Sequence, residues 1–366
     1  MPLQYLAQLA DGIPLSESQA ESLFDLMVAG ELSDPQIAAV LSLLRVRPFT
    51  VDELVGAARS MRRHVTPIPG AAEIPGTLID TCGTGGTAKT LNVSSIAAFA
   101  VAGTALDPKR CGVSRRVLVA KHGNRSRSGR GSAEVLAGLG VNIEAPPHIQ
   151  AQCLNEASMC FCFAIHYHPA GRNARAARQA IGFVTIFNAV GPLTNPAGAK
   201  RQLLGVYSTD LLPKAAAALA RLGCERAMVV HSELATSSGN SMALDEISTG
   251  GDSLIADVIG TTNKLRTFNA STLGIAPATA ELLTPRDLPH AVDWARAILG
   301  LPTQHAISAE ELRAGLDIVA LNAGAALFVA DAVPTIDAGL AAARESLGSG
   351  LAAQSLERLI SISNRR

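Results

Sequence analysis

Residues 77–106 read TLIDTCGTGGTAKTLNVSSIAAFAVAGTAL, and this stretch indicates the fold class. The apolar run TLID has the length of a buried strand, and a glycine-rich loop follows it. After the loop comes SSIAAFAVAGTAL, an apolar, Ala-rich segment of helical length. A strand followed by a crossover helix is the repeating unit of α/β proteins, so the stretch predicts one such unit.

The same order recurs toward the C-terminus. Apolar runs alternate with Ala-rich segments: VLVAK with GSAEVLAGLG, CFCFAI with NARAARQAIG, and LLGVYS with LLPKAAAALARLG, before RAMVVHS. Shorter strand-like pieces follow, LDEIS, LIADVIG and KLRTF, and residues 308–330 and 335–362 are predicted to be helices. The pattern predicts an α/β fold with a mainly parallel central sheet and surrounding helices.

The sequence pattern in the N-terminal part of the chain predicts helices and no strands. Three capping boxes, which satisfy the first amides of a helix, begin at Ser16, Ser33 and Thr50. The segment HVTPIPGAAEIPG, residues 64–76, contains three prolines and two glycines and so marks a boundary. We therefore predict a small helical domain at residues 1–70, with part of the 170–200 region as a candidate addition, and a large α/β domain at residues 71–366.

Composition limits the classes of partner. The 366 residues include 31 Lys plus Arg and 31 Asp plus Glu, so the formal net charge is zero. A nucleic-acid binder should show a basic excess, which argues against that class. The first residues lack a secretory signal, and apolar runs such as IAAFAVAGTAL are shorter than the roughly 20 residues of a membrane span. We expect a soluble, cytoplasmic protein with no membrane partner and with local anion sites.

The six cysteines form no C-x-x-C pair, which argues against a zinc knuckle or a thioredoxin-like motif. Cys160 and Cys162 alternate in CFCFAI, so we expect one face of a strand to bury both. Cys82 lies within the glycine-rich loop and is the cysteine that the sequence selects for a test of reactivity.

The glycine-rich loop, DTCGTGGTAKTLNVSS at residues 80–95, is a candidate phosphate site, although such a turn is often only a turn. Glycines permit a tight turn and a close approach of backbone amides to a phosphate; they are Gly83, Gly85 and Gly86. Polar residues stand at the start of the next helix, whose N-terminus favours an anion; they are Asn92, Ser94 and Ser95. The loop is neither a Walker A motif nor G-x-G-x-x-G.

A second loop, KHGNRSRSGRGS at residues 121–132, also follows a predicted strand and precedes a predicted helix. Its cations are Lys121, Arg125, Arg127 and Arg130. Because loops after parallel strands emerge at the same carboxyl edge, we expect both loops to face one crevice. Together they suit a polyanion such as a pyrophosphate, whereas a solvated basic surface loop is the alternative interpretation.

The segments DTCGTGGTAKTLNVSS, VAKHGNRS, HYHPAGRNARAARQAIGFVTIFNAVGPLTNPAGA, RAMVVHS and LDEIS resemble, in order and spacing, the successive motifs of the anthranilate phosphoribosyltransferase family. LNAGAALFVA near the C-terminus extends the resemblance over nearly the whole chain. The resemblance implies a small α domain beside a large α/β domain and a homodimer formed through the small domains. It also implies Mg²⁺-dependent transfer of phosphoribose from phosphoribosyl pyrophosphate to the anthranilate amine, in tryptophan biosynthesis.

The resemblance implies roles for individual residues. Matches to positions that hold phosphoribosyl pyrophosphate are Gly83, Gly85, Gly86, Asn92, Ser94, Ser95, Lys121 and Ser132. Matches to positions along the path of anthranilate are His122, Asn124, His168, Arg178, Gly191 and Pro192. Asp245 and Glu246 match the acidic pair for Mg²⁺, with Ser94 able to ligate a second ion. Lys121 and Arg178 are the predicted catalytic residues, and the planar fork of Arg178 suits the acceptor carboxylate.

Several positions differ from the family pattern. Thr87 stands where a carboxylate is expected, and Val184 stands where a second arginine is expected. The SGRGS loop is one residue shorter, the segment before Asp245 is longer, and residues 107–116 are an insertion. Two alternatives therefore stay open: a diverged phosphoribosyltransferase with another small aromatic acceptor, and a non-catalytic relative that binds a ligand or nucleic acid.

Overall fold

The computed structural model describes residues 2–87, 90–126 and 129–365. Its helices are α1 (Pro2–Ala10), α2 (Glu17–Ala29), α3 (Asp34–Val46), α4 (Val51–Arg63), α5 (Val93–Thr104), α6 (Ser132–Gly138), α7 (Pro147–Glu156), α8 (Ala164–Tyr167), α9 (Arg175–Ile181), α10 (Ile186–Val190), α11 (Leu211–Arg221), α12 (Leu288–Ile298), α13 (Ala309–Val329), α14 (Ile336–Gly348) and α15 (Leu351–Ser363). Its strands are β1 (Thr77–Gly83), β2 (Val117–Gly123), β3 (Met159–Phe163), β4 (Arg201–Gly205), β5 (Arg226–Ala235), β6 (Ser241–Leu244), β7 (Asp252–Ile259) and β8 (Thr262–Asn269).

The N-terminal helices begin where the capping boxes predict. At Ser16 and Thr50 the side chain accepts a hydrogen bond from the backbone amide of the N3 residue. The side chain of the N3 residue in turn accepts a hydrogen bond from the backbone amide of Ser16 or Thr50. At Ser33 the returning bond, from the Ser33 amide to Gln36, is 2.9 Å long. Glu53, the N3 residue of α4, is buried and also accepts from the amide of Leu15 at 3.0 Å, so one cap residue joins α4 to the chain before α2.

The sheet has the strand order β3-β2-β1-β4-β5-β7-β8, with β6 paired to β5. The strands from β3 to β5 in this order run parallel, and β6, β7 and β8 pair antiparallel. The predicted α/β fold with a mainly parallel sheet is therefore confirmed. The chain leaves β1 toward β2 on one side and returns to β4 on the other, so β1 and β4 flank the topological switch point, where open α/β sheets bind ligands.

Two predicted elements differ in the structure. The segment LDEIS is not a strand, because β6 ends at Leu244 and residues 245–248 leave the ladder. Residues 335–362 form two helices rather than one, because Gly350 adopts a φ of 80° between α14 and α15. That left-handed conformation is accessible to glycine and ends the helical hydrogen bonding there.

Apolar side chains form two cores. The first fills the space between the sheet and helices α5, α13, α14 and α15. The second joins the N-terminal helices to α9, α10, α11 and the adjacent face of β4 and β5. Within the described chain one helix, α13, is long and apolar enough to cross a membrane, but 72% of its most apolar window is buried inside the protein. Helix α13 therefore behaves as a core helix, packed against α5 and α14.

The cysteines are buried thiols. Cys160 and Cys162 both lie fully buried on β3, with their Sγ atoms 3.9 Å apart, as the alternation predicts. Cys82, which the sequence selects for a test of reactivity, is buried, and burial raises the pKa of its thiol well above the ordinary value. The Cys82 Sγ accepts a hydrogen bond from Gln202 Nε2 at 3.0 Å.

Candidate active site

The first loop and the acidic pair meet at the switch point of the sheet. Gly83 and Gly205 are paired neighbours at the carboxyl ends of β1 and β4, and both face Asp245. A Cβ on Gly83 would overlap the Asp245 carboxylate, and a Cβ on Gly205 would overlap its carbonyl oxygen. The carboxylate accepts hydrogen bonds from the Gly85 amide at 3.2 Å and the Thr87 hydroxyl at 2.7 Å. Two glycines thus provide the space in which Asp245 lies against the loop.

Glu246 lies at the N-terminus of α5. Its carboxylate accepts a hydrogen bond from the Ser94 amide at 3.1 Å and also bonds to the Ser94 side chain. Burial raises the pKa of Glu246 to about 8, and the neighbouring charge of Asp245 adds to this, while Lys121 opposes it. The structure therefore brings together Ser94, Asp245 and Glu246, the three residues that the family resemblance assigns to metal.

Lys121 is buried, with 2% of its surface exposed. Its ammonium donates a hydrogen bond to the carbonyl oxygen of Thr81 and lies 3.5 Å from that of His122. Asp80, also fully buried, accepts from the His122 amide at 3.2 Å and from the Asn195 amide group at 2.7 Å. Burial raises the pKa of Asp80, and the nearby Lys121 charge opposes this.

The second loop contacts the first. The side-chain amide of Asn92 donates to the carbonyl oxygen of Arg130 at 3.3 Å, and the hydroxyl of Ser132 donates to that of Asn124 at 3.3 Å. Asn92 Oδ1 and the hydroxyl of Ser95 are buried without a hydrogen-bond partner. At the predicted phosphate site, Asn92 Oδ1 can therefore still accept a hydrogen bond and the Ser95 hydroxyl can still donate one.

The cations of the second loop do not all face the first loop. The guanidinium of Arg125 lies 5.6 Å from the centre of the Phe163 ring and 3.6 Å from the carboxylate of Glu144. That of Arg130 donates to the carbonyl oxygen of Pro285. Arg127 lies outside the described residues. That the loop suits a polyanion stays a prediction, and in this structure Arg125 contacts an aromatic ring and a carboxylate.

Two of the predicted acceptor residues form a buried histidine pair. The Nε2 atoms of His122 and His168 are 3.1 Å apart, and the ring centres are 4.9 Å apart. Burial lowers the pKa of His122 well below the ordinary range, and burial lowers that of His168 to about 4. His122 also bonds to the backbone of Gly191, which brings a third predicted residue to the pair. Both rings are thus neutral, and His168 Nδ1 is buried without a partner.

The other predicted acceptor residues make separate contacts. Arg178, on α9, lies with its guanidinium 5.0 Å from the centre of the Phe187 ring, and burial lowers its pKa. Asn124 is exposed, and its side chain accepts from the amide of Arg125 at 2.8 Å. The carbonyl oxygen of Pro192 accepts from Gln202 at 2.7 Å. No described contact joins Arg178 or Asn124 to the histidine pair.

Comparison with known proteins identifies the family. The glycosyl transferase family, a/b domain, matches residues 75–353, and its helical bundle domain matches residues 3–65. An anthranilate phosphoribosyltransferase of Rubrobacter xylanophilus is 40% identical over 362 residues, which are 98% of this chain and 97% of the relative. This chain belongs to the anthranilate phosphoribosyltransferase family. It is accordingly an enzyme of the glycosyltransferase class.

Solved structures agree with this family. The crystal structure of anthranilate phosphoribosyltransferase from Thermus thermophilus has a TM-score of 0.82 and 34% identity, over 98% of this chain and 99% of that chain. A Saccharomyces cerevisiae anthranilate phosphoribosyltransferase in complex with PRPP and Mg has a TM-score of 0.79 and 20% identity, over 99% and 97% of the two chains. The second likeness shows a shared fold.

Two of the departures from the family pattern lie at the glycine-rich loop. Thr87 replaces the expected carboxylate with a hydroxyl that bonds to Asp245, so it still contacts the acidic pair. Val184 lies beside Gly86, together with Tyr207, and both line a cavity of about 110 Å³. Arg45, from α3, also lines this cavity. The family site here thus borders on the N-terminal helices.

Sequence reasoning did not assign three residues that support the loops. Asp80 and Asn195 hold the end of β2, since Asn195 also donates to the carbonyl oxygen of Ala120 at 2.8 Å. Asn188 donates to the carbonyl oxygen of Thr84, in the first loop, at 3.3 Å. The signal was present, because Asn188 and Asn195 belong to the family motifs TIFN and TNPA, but a motif alone does not separate a positioning residue from a substrate contact.

Proposed function

We propose that this chain transfers the phosphoribosyl group of phosphoribosyl pyrophosphate to the amine of anthranilate, releasing pyrophosphate, with Mg²⁺ as the cofactor. The observation that carries the proposal is the meeting of Asp245 and Glu246 with the glycine-rich loop and the start of α5, at the switch point of a parallel sheet. Family membership and the yeast relative solved with PRPP and Mg support the substrate and the metal.

The residues present fit Mg²⁺. Across residues 2–87, 90–126 and 129–365, no group of three or more His, Cys, Asp or Glu side chains could hold a metal ion. Magnesium does not need such a cage, because it is commonly held by one or two carboxylates together with substrate phosphates and water. Asp245, Glu246 and the hydroxyl of Ser94 would hold it, and bound there it would offset negative charge on the departing pyrophosphate.

The chain's own groups then act on the phosphates. The amides of Gly85 and Ser94 bond to the carboxylates of Asp245 and Glu246, so they hold the acidic pair beside the place proposed for the phosphates. Backbone amides in a glycine-rich turn and at a helix N-terminus are fixed donors that need no reorganisation as charge develops. Lys121, buried beneath the loop, adds a positive charge that is held in place by the carbonyl oxygen of Thr81. We assign to Lys121 the stabilisation of the leaving pyrophosphate.

On the acceptor side we assign to the side chains the orientation of anthranilate rather than removal of a proton from its amine. An aromatic amine is neutral at neutral pH, so its lone pair is available without a strong base. The neutral His122 and His168 offer imidazole surfaces and an unpaired Nδ1 atom, while Arg178 offers a planar cation for the anthranilate carboxylate. Asn124, Gly191 and Pro192 complete the proposed acceptor path. Orientation of this kind can contribute much of a rate enhancement.

We extend the proposal to assembly and location. Residues 1–70, with part of residues 170–200, would form the small domain, and two copies would pair through it as a cytoplasmic homodimer. The packing of α9 and α10 against α3 and α4 supports the small domain, and the pairing of two copies rests on the family resemblance.

The direct test is turnover of anthranilate with phosphoribosyl pyrophosphate and Mg²⁺, followed as loss of anthranilate fluorescence. We expect turnover that a chelator abolishes and that added Mg²⁺ restores. Pyrophosphate release with another aromatic amine, but not with anthranilate, would keep the donor half of the proposal and overturn the acceptor. Absence of pyrophosphate release with every acceptor would overturn both halves.

A further inference from the structure

The segment that carries the acidic pair is irregular and largely buried, so its backbone groups need partners outside the sheet. Strand β6 ends at Leu244, and residues 247–249 are buried. A buried backbone amide or carbonyl without a partner is costly, so such a segment is held in place only where side chains replace the missing strand.

Asn322 provides two of the missing bonds. Its Oδ1 accepts from the Ile247 amide at 2.9 Å, and its Nδ2 donates to the Ile247 carbonyl oxygen at 3.0 Å. The second Nδ2 proton goes to the carbonyl oxygen of Ile318, one turn earlier in α13, at 2.9 Å. One side chain therefore pairs with both backbone groups of Ile247, as a neighbouring strand would.

Two buried serines satisfy the residues on either side. The hydroxyl of Ser232 donates to the carbonyl oxygen of Glu246 at 2.7 Å. The amide of Ser248 donates to the hydroxyls of Ser253 at 3.0 Å and Ser232 at 3.3 Å. From Glu246 to Ser248 the backbone is thus held by three buried polar side chains, from β5, β7 and α13.

Burying the Asn322 side-chain amide costs free energy unless these hydrogen bonds offset it. Every residue of α13 is described, and Asn322 is the one polar side chain among its buried residues. Leucine or alanine there would avoid burying an amide in a helix otherwise built from apolar side chains. Helix α13 packs against α5, whose first turn bonds to Glu246, so the two helices hold the backbone and the carboxylate of the same segment.

We infer that Asn322 is a positioning residue that fixes the Asp245–Glu246 segment so that its carboxylates hold a divalent cation. This inference rests on the proposed metal role of the pair. Partners behind metal ligands commonly change metal affinity about 10–100-fold when they are removed. The same reasoning assigns a smaller contribution to Ser232.

The test compares N322A and S232A with S355A. Ser355 is a matched control, because it is a fully buried serine with one bond, to the carbonyl oxygen of Ala157 at 3.0 Å, on α15. The probe is Mn²⁺ alone, with its dissociation constant taken from the electron paramagnetic resonance signal of the free ion and D245N/E246Q as the blank. Thermal midpoints are measured in parallel.

We expect Mn²⁺ affinity to fall about 10-fold or more in N322A and by a smaller factor in S232A. S355A should lower the thermal midpoint and leave Mn²⁺ affinity unchanged. Equal Mn²⁺ affinity in the wild type and in folded S232A and N322A would overturn the inference. An equal loss of Mn²⁺ affinity in S355A would also overturn it, and so would a wild-type Mn²⁺ affinity no higher than that of D245N/E246Q. If N322A does not fold, S232A decides alone. Mn²⁺ binding without anthranilate turnover would overturn the proposed function and leave this inference standing.

Discussion

Asp245 and Glu246 occupy different electrostatic positions although they are adjacent. The first bonds to a loop amide and a hydroxyl, and the second lies at a helix N-terminus in a buried environment. Each orients its carboxylate by a bond to a different part of the same strand-to-helix loop. Removing either charge should therefore change metal-dependent chemistry while the backbone remains in place.

We predict that D245N and E246Q each lower Mg²⁺-dependent turnover by about 100-fold, since a bound cation contributes several kcal/mol of charge stabilisation. Isosteric amides keep most of the hydrogen-bond geometry but lose the charge. The controls are D337N and E310Q, at exposed positions in the first turns of α14 and α13. Initial rates over a range of Mg²⁺ concentrations measure the effect, and wild-type rates in both site variants would contradict it.

Arg178 is predicted to act on the acceptor. R178A should raise the KM for anthranilate about 10–100-fold, because a hydrogen bond to a charged group contributes about 1.5–3 kcal/mol. The KM for phosphoribosyl pyrophosphate should change little. R175A is the matched control, since Arg175 is exposed on the same helix, α9. A rise in the donor KM alone would assign Arg178 to the other half of the site.

His168 should make stability depend on pH. Its pKa is about 4 in the folded chain and near 6.5 when exposed, so the unfolded chain binds the proton more readily. The contribution of the neutral His168 imidazole to the free energy of unfolding is therefore complete above pH 6.5. It is lost as the pH falls toward 4, and the loss amounts to about 3 kcal/mol. Denaturant midpoints across this range should fall less steeply in H168Q than in the wild type, whereas H148Q, at an exposed position on α7, should keep the wild-type slope.

At the scale of elements, the ends of β1 and β4 carry glycines, and Asp245 occupies the space that their missing side chains leave. Gly83 and Gly205 are register partners in neighbouring strands, and the backbone of Asp245 lies directly over Gly205. The glycines are therefore required by close approach of another segment rather than by positive φ. The departure of residues 245–248 from the β6 ladder follows from the same geometry, because the acidic segment turns inward across the ends of β1 and β4.

We predict that G205A displaces the acidic segment and lowers both turnover and thermal midpoint, because the added Cβ would overlap the Asp245 carbonyl oxygen. Overpacking of this kind typically costs about 1–3 kcal/mol. G348A is the control: nothing lies within 4 Å of the added Cβ at the end of α14, so the midpoint should stay or rise. Full activity in G205A would show that the segment does not need that position.

At the scale of the whole molecule, the second core connects the N-terminal helices to the sheet. Arg62 of α4 strengthens the connection by donating to the carbonyl oxygens of Leu193 at 2.7 Å and Leu222 at 2.8 Å. Since Leu23 and Leu41 belong to the same buried cluster as Leu204 and Val229, the helices cannot lose their packing without exposing one face of the sheet.

We therefore predict one cooperative thermal transition for the whole chain, with equal calorimetric and van't Hoff enthalpies. R62A should lower the midpoint and keep a single transition, whereas R59A, an exposed residue of the same helix that pairs with Glu17 of α2, should change it less. Two resolved transitions in the wild type would show that the N-terminal helices unfold independently. The division into domains at residue 70 stays a prediction until such a measurement is made.

The sequence by itself determined the fold class and the identity of the loops. Strands and helices each require a hydrophobic pattern of their own period, so β1 and α5 could be predicted from the alternation of apolar runs with Ala-rich segments. Glycine and capping residues act on the backbone next to them, so the capping boxes could be predicted as well. The motifs KHGNR and GPLTNPA likewise indicated the family, because their residues are adjacent in the chain.

Only the tertiary structure decided which of these groups meet. The contacts of Asp245 with Gly83 and Gly205, of His122 with His168, and of Asn322 with Ile247 join residues that are far apart in the chain, and no local period encodes such separations. For the same reason the sequence does not show that Arg125 contacts Phe163, or that burial within the fold raises the pKa of the Cys82 thiol. Chemistry-bearing residue types can be read from the sequence, but burial and approach between distant segments set their charge, orientation and accessibility.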